Sequence, residues 1–271
     1  MASESLAGLE FPAEGIAVLR LRRPEKRNAL SRPLLRDLAA SIGELACAFP
    51  TVRAVIVTGN GPSFCAGADI REFDDWDAQS LHGFIALGSH VFANLQHLPQ
   101  TVIAAVHGHV LGGGLELALA CDLIVADDTA ILGFPEVTIG GVPGWGGTMR
   151  IQERVGRAWA NYLVLTGETI GADFAATVGL VNEVVRPQLL LTRATAIATR
   201  IAGLSPTALR LAKQALLQAS PYLPMRHEAV EQYSNLACML SEDRRASIQS
   251  FFGKSTPAVR QVSDSPPPPN V

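Results

Sequence analysis

The chain has 271 residues, 48% of them hydrophobic and 17% charged, against roughly 25% charged residues in an average globular protein. That length suffices for one large domain, or for a core domain with a small appendage. The net charge of −3 and the pI of about 6.1 exclude a broad nucleic-acid footprint, which needs a strongly basic face.

In chain order, the N-terminal stretch MASESLAGLEFPAEG has no basic segment followed by an apolar run, so it does not read as a secretory signal. Residues 16–21 (IAVLRL) alternate and predict a strand, and 22–30 form a basic turn. From Ser31 to Phe49 apolar residues recur at helical spacing, with Ser31 as N-cap and Pro33 in the first turn. Residues 52–58 (VRAVIVT) predict a buried strand closed by the turn at 59–62 (GNGP), 78–97 a helix, and 102–108 (VIAAVHG) another buried strand. A glycine run then opens a further helix, and 122–126 and 180–185 add strands. Short β-rich runs alternating with helices predict an α/β architecture. Helical spacing alone covers 189–204, 206–219, 225–240 and 242–252, and the Pro-rich end reads as disordered. The expected organisation is an α/β core over 1–200, a helical region over 201–262 and a disordered tail over 263–271.

The four cysteines, at 47, 65, 121 and 238, form no C-x-x-C motif, so they read as buried inert thiols in a reducing, cytoplasmic setting. No apolar stretch is long enough to span a membrane. The low charged share fits surface buried between subunits and, equally, a monomer with a large core.

The segment 108–122 (GHVLGGGLELALACD) carries the most chemistry. Three glycines follow a strand and open a helix, whose first N–H groups are unpaired and carry partial positive charge. Such a place suits a phosphate or an oxyanion formed during reaction. A dinucleotide loop fails because Leu117 stands where glycine or alanine is required. A P-loop ending in Gly253-Lys254-Ser255 fails at Ile248, and no G-x-S-x-G elbow exists. Glu116 follows the glycines amid Leu115, Leu117, Ala118 and Leu119. A carboxylate so placed is desolvated, which raises its pKa toward acid–base duty; it equally fits a partner of the helix dipole. Glu136, between LGFP and VTIGGVPGWGG, has a comparable apolar setting and equally fits a solvated loop carboxylate.

Four stretches, RPEKRNAL (23–30), GPSFCAGADIREF (61–73), GGGLELALACDLIVADD (112–128) and FPEVTIGGVPGWGGTMR (134–150), resemble the hallmark segments of the crotonase (enoyl-CoA hydratase/isomerase) family, in its order and spacing. The resemblance spans roughly residues 14–257 and is greatest to enoyl-CoA hydratases. It implies a spiral of ββα turns with a helical C-terminal region that builds homotrimers or homohexamers. It also implies an acyl-CoA substrate, with coenzyme A part of that substrate, and no separate cofactor, metal, nucleic-acid or membrane partner.

Residue by residue, the resemblance implies that the backbone N–H groups of Ala68 and Gly113 form an oxyanion hole for the thioester carbonyl, and that Glu116 and Glu136 are the catalytic pair around one water. The backbone of Gly144 would help to bind that water. Lys26 and Arg27, in a basic cluster with Arg22 and Arg23, would lie beside the CoA phosphates. Ala66, Ala68, Asp69, Ile70 and Arg71, together with Gly113, would line the CoA site, with Phe252 and Lys254 reaching a neighbouring subunit's site. Trp145 departs from the small residue common at its position and would narrow the acyl pocket. Asp74 and Asp75 belong to the variable stretch over the acyl end, and His82, His90, His107 and His109 read as structural. Both glutamates are retained, which favours hydration. The alternatives are double-bond isomerisation or another acyl-CoA reaction, and a non-catalytic acyl-CoA-binding subunit.

Overall fold

A computed structural model of the chain describes residues 5–69 and 78–218. The large sheet has the order β1-β2-β3-β4-β6-β9. Its strands are β1 (Ala7–Ala13), β2 (Ile16–Leu21), β3 (Ala54–Gly59), β4 (Thr101–Val106), β6 (Leu123–Asp127) and β9 (Glu183–Val185). The edge strand β1 pairs antiparallel with β2, and every other pairing in this sheet is parallel.

A parallel sheet is buried on both faces, and the strands show why their sequences are apolar without a break. Ala17, Leu19, Val55, Val57, Val102 and Ala104 point into the main core, against α1 (Arg32–Cys47) and α2 (Ala78–Gln96). The alternate residues Ile16, Val18, Ala54, Ile56, Ile103 and Val125 point the other way, onto Leu190, Ala194 and Ala198 of α6 (Leu190–Ala202). In α1, Ser31 caps the N-terminus as expected, its Oγ accepting from the Leu34 N–H at 3.4 Å.

A second layer joins β5 (His109–Leu111), β7 (Ile131–Gly133) and β8 (Thr169–Gly171), and a parallel bridge from Cys65 to Val110 extends it. The chain therefore repeats one move three times. A strand of the large sheet is followed by a short segment of the small layer and then a helix: β3, Cys65 and α2; β4, β5 and α3 (Gly113–Leu119); β6, β7 and α4 (Gly147–Thr166). Each short segment stacks on the previous one, so the junctions at 66–68, 112–113 and 134–136 meet.

Several elements differ from the sequence expectation. The strand expected over 52–58 begins at Ala54, and the strand over 180–185 at Glu183. The edge strand β1, which contains Pro12, and the short strands β5, β7 and β8 were not expected, nor were α4 and α5 (Ala172–Thr177). Cys47 is exposed rather than buried, because it ends α1 on the solvent side; Cys65 and Cys121 are buried. Position 200 falls inside α6, which packs on the large sheet, and α7 (Pro206–Gln218) is anchored to it by Lys213. The Lys213 ammonium donates to the Gln100 carbonyl at 2.9 Å and to Asp122 Oδ2 at 2.8 Å. The helices expected over 225–240 and 242–252, the tail at 263–271, and Cys238 lie outside the described residues. Among the described residues no helix is long and apolar enough to cross a membrane.

Candidate active site

The meeting junctions enclose a cavity of about 240 Å³ lined by Ala66, Gly67, Ala68, Gly112, Gly113, Glu116, Glu136, Gly144 and Trp145, with an apolar wall from Leu81, Phe84, Ile85, Ile139 and Val142. The structure thus gathers the expected oxyanion, acid–base, water-site and acyl-pocket residues at one place.

Two backbone amides face this space. Leu30 pairs with the Ala68 strand segment by donating its N–H to the Gly67 carbonyl at 2.8 Å and accepting from the Asp69 N–H at 3.0 Å. That register turns the Ala68 peptide away from Leu30. Gly113 is the first residue of α3, where a helix leaves its N–H groups without intrahelical acceptors. Among the described residues neither the Ala68 nor the Gly113 N–H takes part in a backbone hydrogen bond. Glycine is required on both sides of Gly113. Gly112 has φ +51°, and a β carbon there would stand 2.8 Å from Glu136 Oε1; a β carbon on Gly114 would collide with the Cys65 carbonyl.

Glu116 is 2% exposed. Its Oε1 accepts from the Trp145 N–H at 2.7 Å and the Gly147 N–H at 2.8 Å. Burial pushes its pKa up, and the amides of Trp145, Gly147 and Gly144 and the Arg150 guanidinium oppose that push. Gly144, expected at the water, thus also acts on the Glu116 carboxyl, while its carbonyl accepts from Ser89 Oγ at 3.1 Å.

Glu136 sits in the 3-10 turn Pro135–Ile139. It is no solvated loop carboxylate: its Oε2 is buried, without a partner among the described residues. Burial first, and the Glu116 charge besides, push its pKa up to about 7, against a smaller opposing pull from its own backbone N–H. Trp145 is 5% exposed, and its indole meets the rings of Phe84 and Phe92 edge-on at 5.3 and 5.5 Å.

The basic cluster divides. Arg22 pairs with Glu10 at 3.3 Å and Arg23 with Asp69 at 2.7 Å, so the Asp69 carboxylate is engaged by the protein itself. Lys26 and Arg27 are exposed and appear in none of the ion pairs among the described residues. Their loop is tied to the cavity wall, because the Ala66 N–H donates to the Arg27 carbonyl at 3.0 Å. Ile70, Arg71, Asp74, Asp75, Phe252 and Lys254 lie outside the described residues. Among the described residues no histidine lines the cavity: His109 Nδ1 is 3.0 Å from Ser63 Oγ, and His107 Nε2 is 3.1 Å from the Gly61 carbonyl. Among the described residues no cluster of three or more His, Cys, Asp or Glu is arranged to hold a metal ion. The apolar wall from α2 and from Ile139 and Val142 was not expected from sequence, where such residues read as ordinary core.

One buried and one half-buried carboxyl beside two backbone amides suit acid–base chemistry next to a polarised carbonyl. The profile of the enoyl-CoA hydratase/isomerase family matches residues 12–261, and the chain belongs to that family. It is 39% identical over 240 residues to the short-chain-enoyl-CoA hydratase of Clostridium acetobutylicum, covering 88% of this chain and 92% of the relative. It is likewise 39% identical over 243 residues to the 2,3-dehydroadipyl-CoA hydratase of Escherichia coli K12, covering 89% of this chain and 94% of the relative. Among solved structures, the enoyl-CoA hydratase from Bacillus anthracis superposes with a TM-score of 0.87 at 34% identity, over 93% of this chain and 98% of that one. The spiral of ββα turns is the crotonase fold.

Proposed function

We propose that this chain is an enoyl-CoA hydratase, adding water reversibly and syn across the double bond of a trans-2-enoyl-CoA to give a 3-hydroxyacyl-CoA. The observation that carries the reading is that two carboxyls with different support, the buried Glu116 and the half-buried Glu136, open on one cavity beside the Ala68 and Gly113 amides.

The thioester oxygen accepts from the Ala68 and Gly113 N–H groups, which stabilise the enolate that forms as Cβ is attacked; one such donor is worth on the order of 10²–10³ in rate. Glu116, held by amides and faced by Arg150, is the carboxylate that takes a proton from water as the water oxygen bonds to Cβ. Glu136, with its pKa near 7, is protonated often enough at neutral pH to deliver a proton to Cα on the same face. Transfer of one proton from Glu116 to Glu136 then restores the starting state. The Gly144 amide, beside the Glu116 carboxyl, helps to place the water.

Exposed Lys26 and Arg27 supply charge for the CoA phosphates, with Ala66 and the residues after it lining the pantetheine path. Coenzyme A is part of the substrate, and the mechanism calls on no other cofactor. Exposed apolar side chains at Ile139, Val142, Met149 and Leu165 support assembly into a homotrimer or homohexamer, with residues 201–262 contributing to it. The three described cysteines are free, in keeping with a cytoplasmic setting.

The test is turnover of purified full-length protein on enoyl-CoA thioesters of graded length, without added cofactor, with product identification. Formation of 3-hydroxyacyl-CoA is expected. Conversion of a 3-enoyl-CoA to the 2-enoyl isomer without hydration would replace the reading with isomerase, and tight binding without turnover across the series would replace it with a binding subunit.

A further inference from the structure

Arg150 stands on the other side of the turn that supplies the Glu116 donors. It lies in the first turn of α4 and is 6% exposed. Its Nη1 donates to the Trp145 carbonyl at 2.7 Å, and its Nε donates to Gln96 Oε1, in the last residue of α2, at 2.9 Å. Trp145 therefore gives its N–H to Glu116 and its carbonyl to Arg150. Between them Gly146 has φ +96°, and a β carbon there would strike the guanidinium. Among the described residues Arg150 belongs to none of the ion pairs. A buried guanidinium with only neutral hydrogen-bond partners is costly.

We propose that Arg150 is a positioning residue for the hydration step: by tying the Trp145 carbonyl to the end of α2, it keeps the Trp145 and Gly147 amides aimed at Glu116 and so fixes the direction of that carboxylate toward the water. The guanidinium fork suits this task, because its planar donors reach two acceptors at a set angle. Its charge acts in the same direction. Arg150 from α4 favours the Glu116 carboxylate, whereas Glu136, in the 3-10 turn, repels it. Glu153 and the Cys121 thiol act on Arg150 itself, and burial pushes that thiol's pKa up, so it stays neutral.

The inference rests on Glu116 being the base, and the Glu116→Gln variant keeps the two failures apart. Wild type, Arg150→Gln, Arg150→Lys and Gln96→Leu are compared in kcat, KM and the pH profile of kcat/KM. Arg150→Gln is expected to lower kcat on the order of 10–100-fold, the size found for outer partners that orient a working group, with KM little changed. Its acidic limb moves to higher pH, because loss of the cation favours the protonated carboxyl. Arg150→Lys restores the limb but only part of kcat, since an ammonium cannot hold both acceptors in a fixed fork. Gln96→Leu lowers kcat less and leaves the limb in place. Wild-type kcat and limb in folded Arg150→Gln, or losses that only follow the folded fraction, overturn the proposal. If Arg150→Gln does not fold, wild-type kcat in both Arg150→Lys and Gln96→Leu overturns it. Full activity in Glu116→Gln instead overturns the reading of Glu116 as base, whatever Arg150 does.

Discussion

Glu116 and Glu136 line the same cavity, yet the Trp145 and Gly147 amides donate to Oε1 of Glu116 at 2.7 and 2.8 Å, while Oε2 of Glu136 is buried with no partner among the described residues. Burial raises the pKa of both, and only at Glu116 do several amides and a cation oppose it. On the proposed mechanism that difference separates a base from an acid in one small space.

The first consequence is a bell-shaped pH profile. The proposed mechanism needs Glu136 protonated, so kcat/KM is expected to fall as pH rises through about 7. It also falls on the acidic side, as Glu116 gains a proton. The two apparent pKa values belong to the pair, because the carboxyls interact. Initial rates across a pH series check this, and a profile that stays flat well above neutrality contradicts it.

The second concerns stability. The folded-state pKa of Glu136 is raised from 4.5 to about 7, so its contribution is fully present below about 4.5 and is lost as pH rises through about 7. Glu136→Gln carries no charge to bury. Its Tm is expected to exceed that of wild type at pH above about 7, with the difference shrinking toward pH 4.5. Thermal melts of both proteins at several pH values give the answer, and a difference independent of pH is the opposing result.

The third sets two glycines against each other. Gly112→Ala forces a β carbon into a left-handed φ of +51° and against Glu136 Oε1. It is expected to cost at least about 1–2 kcal/mol of stability and most of kcat. Gly43, inside α1, has open space around it, and Gly43→Ala is expected to gain about 0.5–1 kcal/mol at unchanged activity. Denaturant unfolding and steady-state kinetics measure both.

The fourth concerns acyl specificity. Trp145→Ala removes an indole packed edge-on against Phe84 and Phe92, at a cost of about 3–5 kcal/mol. The Trp145 N–H to Glu116 comes from the backbone and survives the change. The ratio of kcat/KM for long over short enoyl-CoA thioesters is therefore expected to rise; an unchanged ratio would remove Trp145 from the acyl pocket.

The central strands were legible in the sequence because burial on both sheet faces writes an unbroken apolar run, as in AVIVT and VIAAV. β1 was hidden by Glu10, Pro12 and a largely solvent-facing edge, and β5, β7 and β8 are too short to carry any period. α4 was obscured by Gly156, whose φ of +73° and ψ of 169° break its helical spacing. Glu116 stood out because a lone carboxylate in an apolar run is conspicuous. What holds it did not: any residue supplies a backbone N–H, and Trp145 and Gly147 lie about thirty positions away. Arg150 lies in a stretch where no helix was expected, and the acceptor it holds is a backbone carbonyl, that of Trp145, which no side-chain pattern announces.

The most direct test of the account is the rate of crotonyl-CoA hydration by wild type, Glu116→Gln and Glu136→Gln, each verified as folded. Loss of one acid–base group costs typically 10²–10⁴ in rate, and the account predicts a loss of about that size in each variant with KM little changed. Full hydration activity in either variant would contradict it.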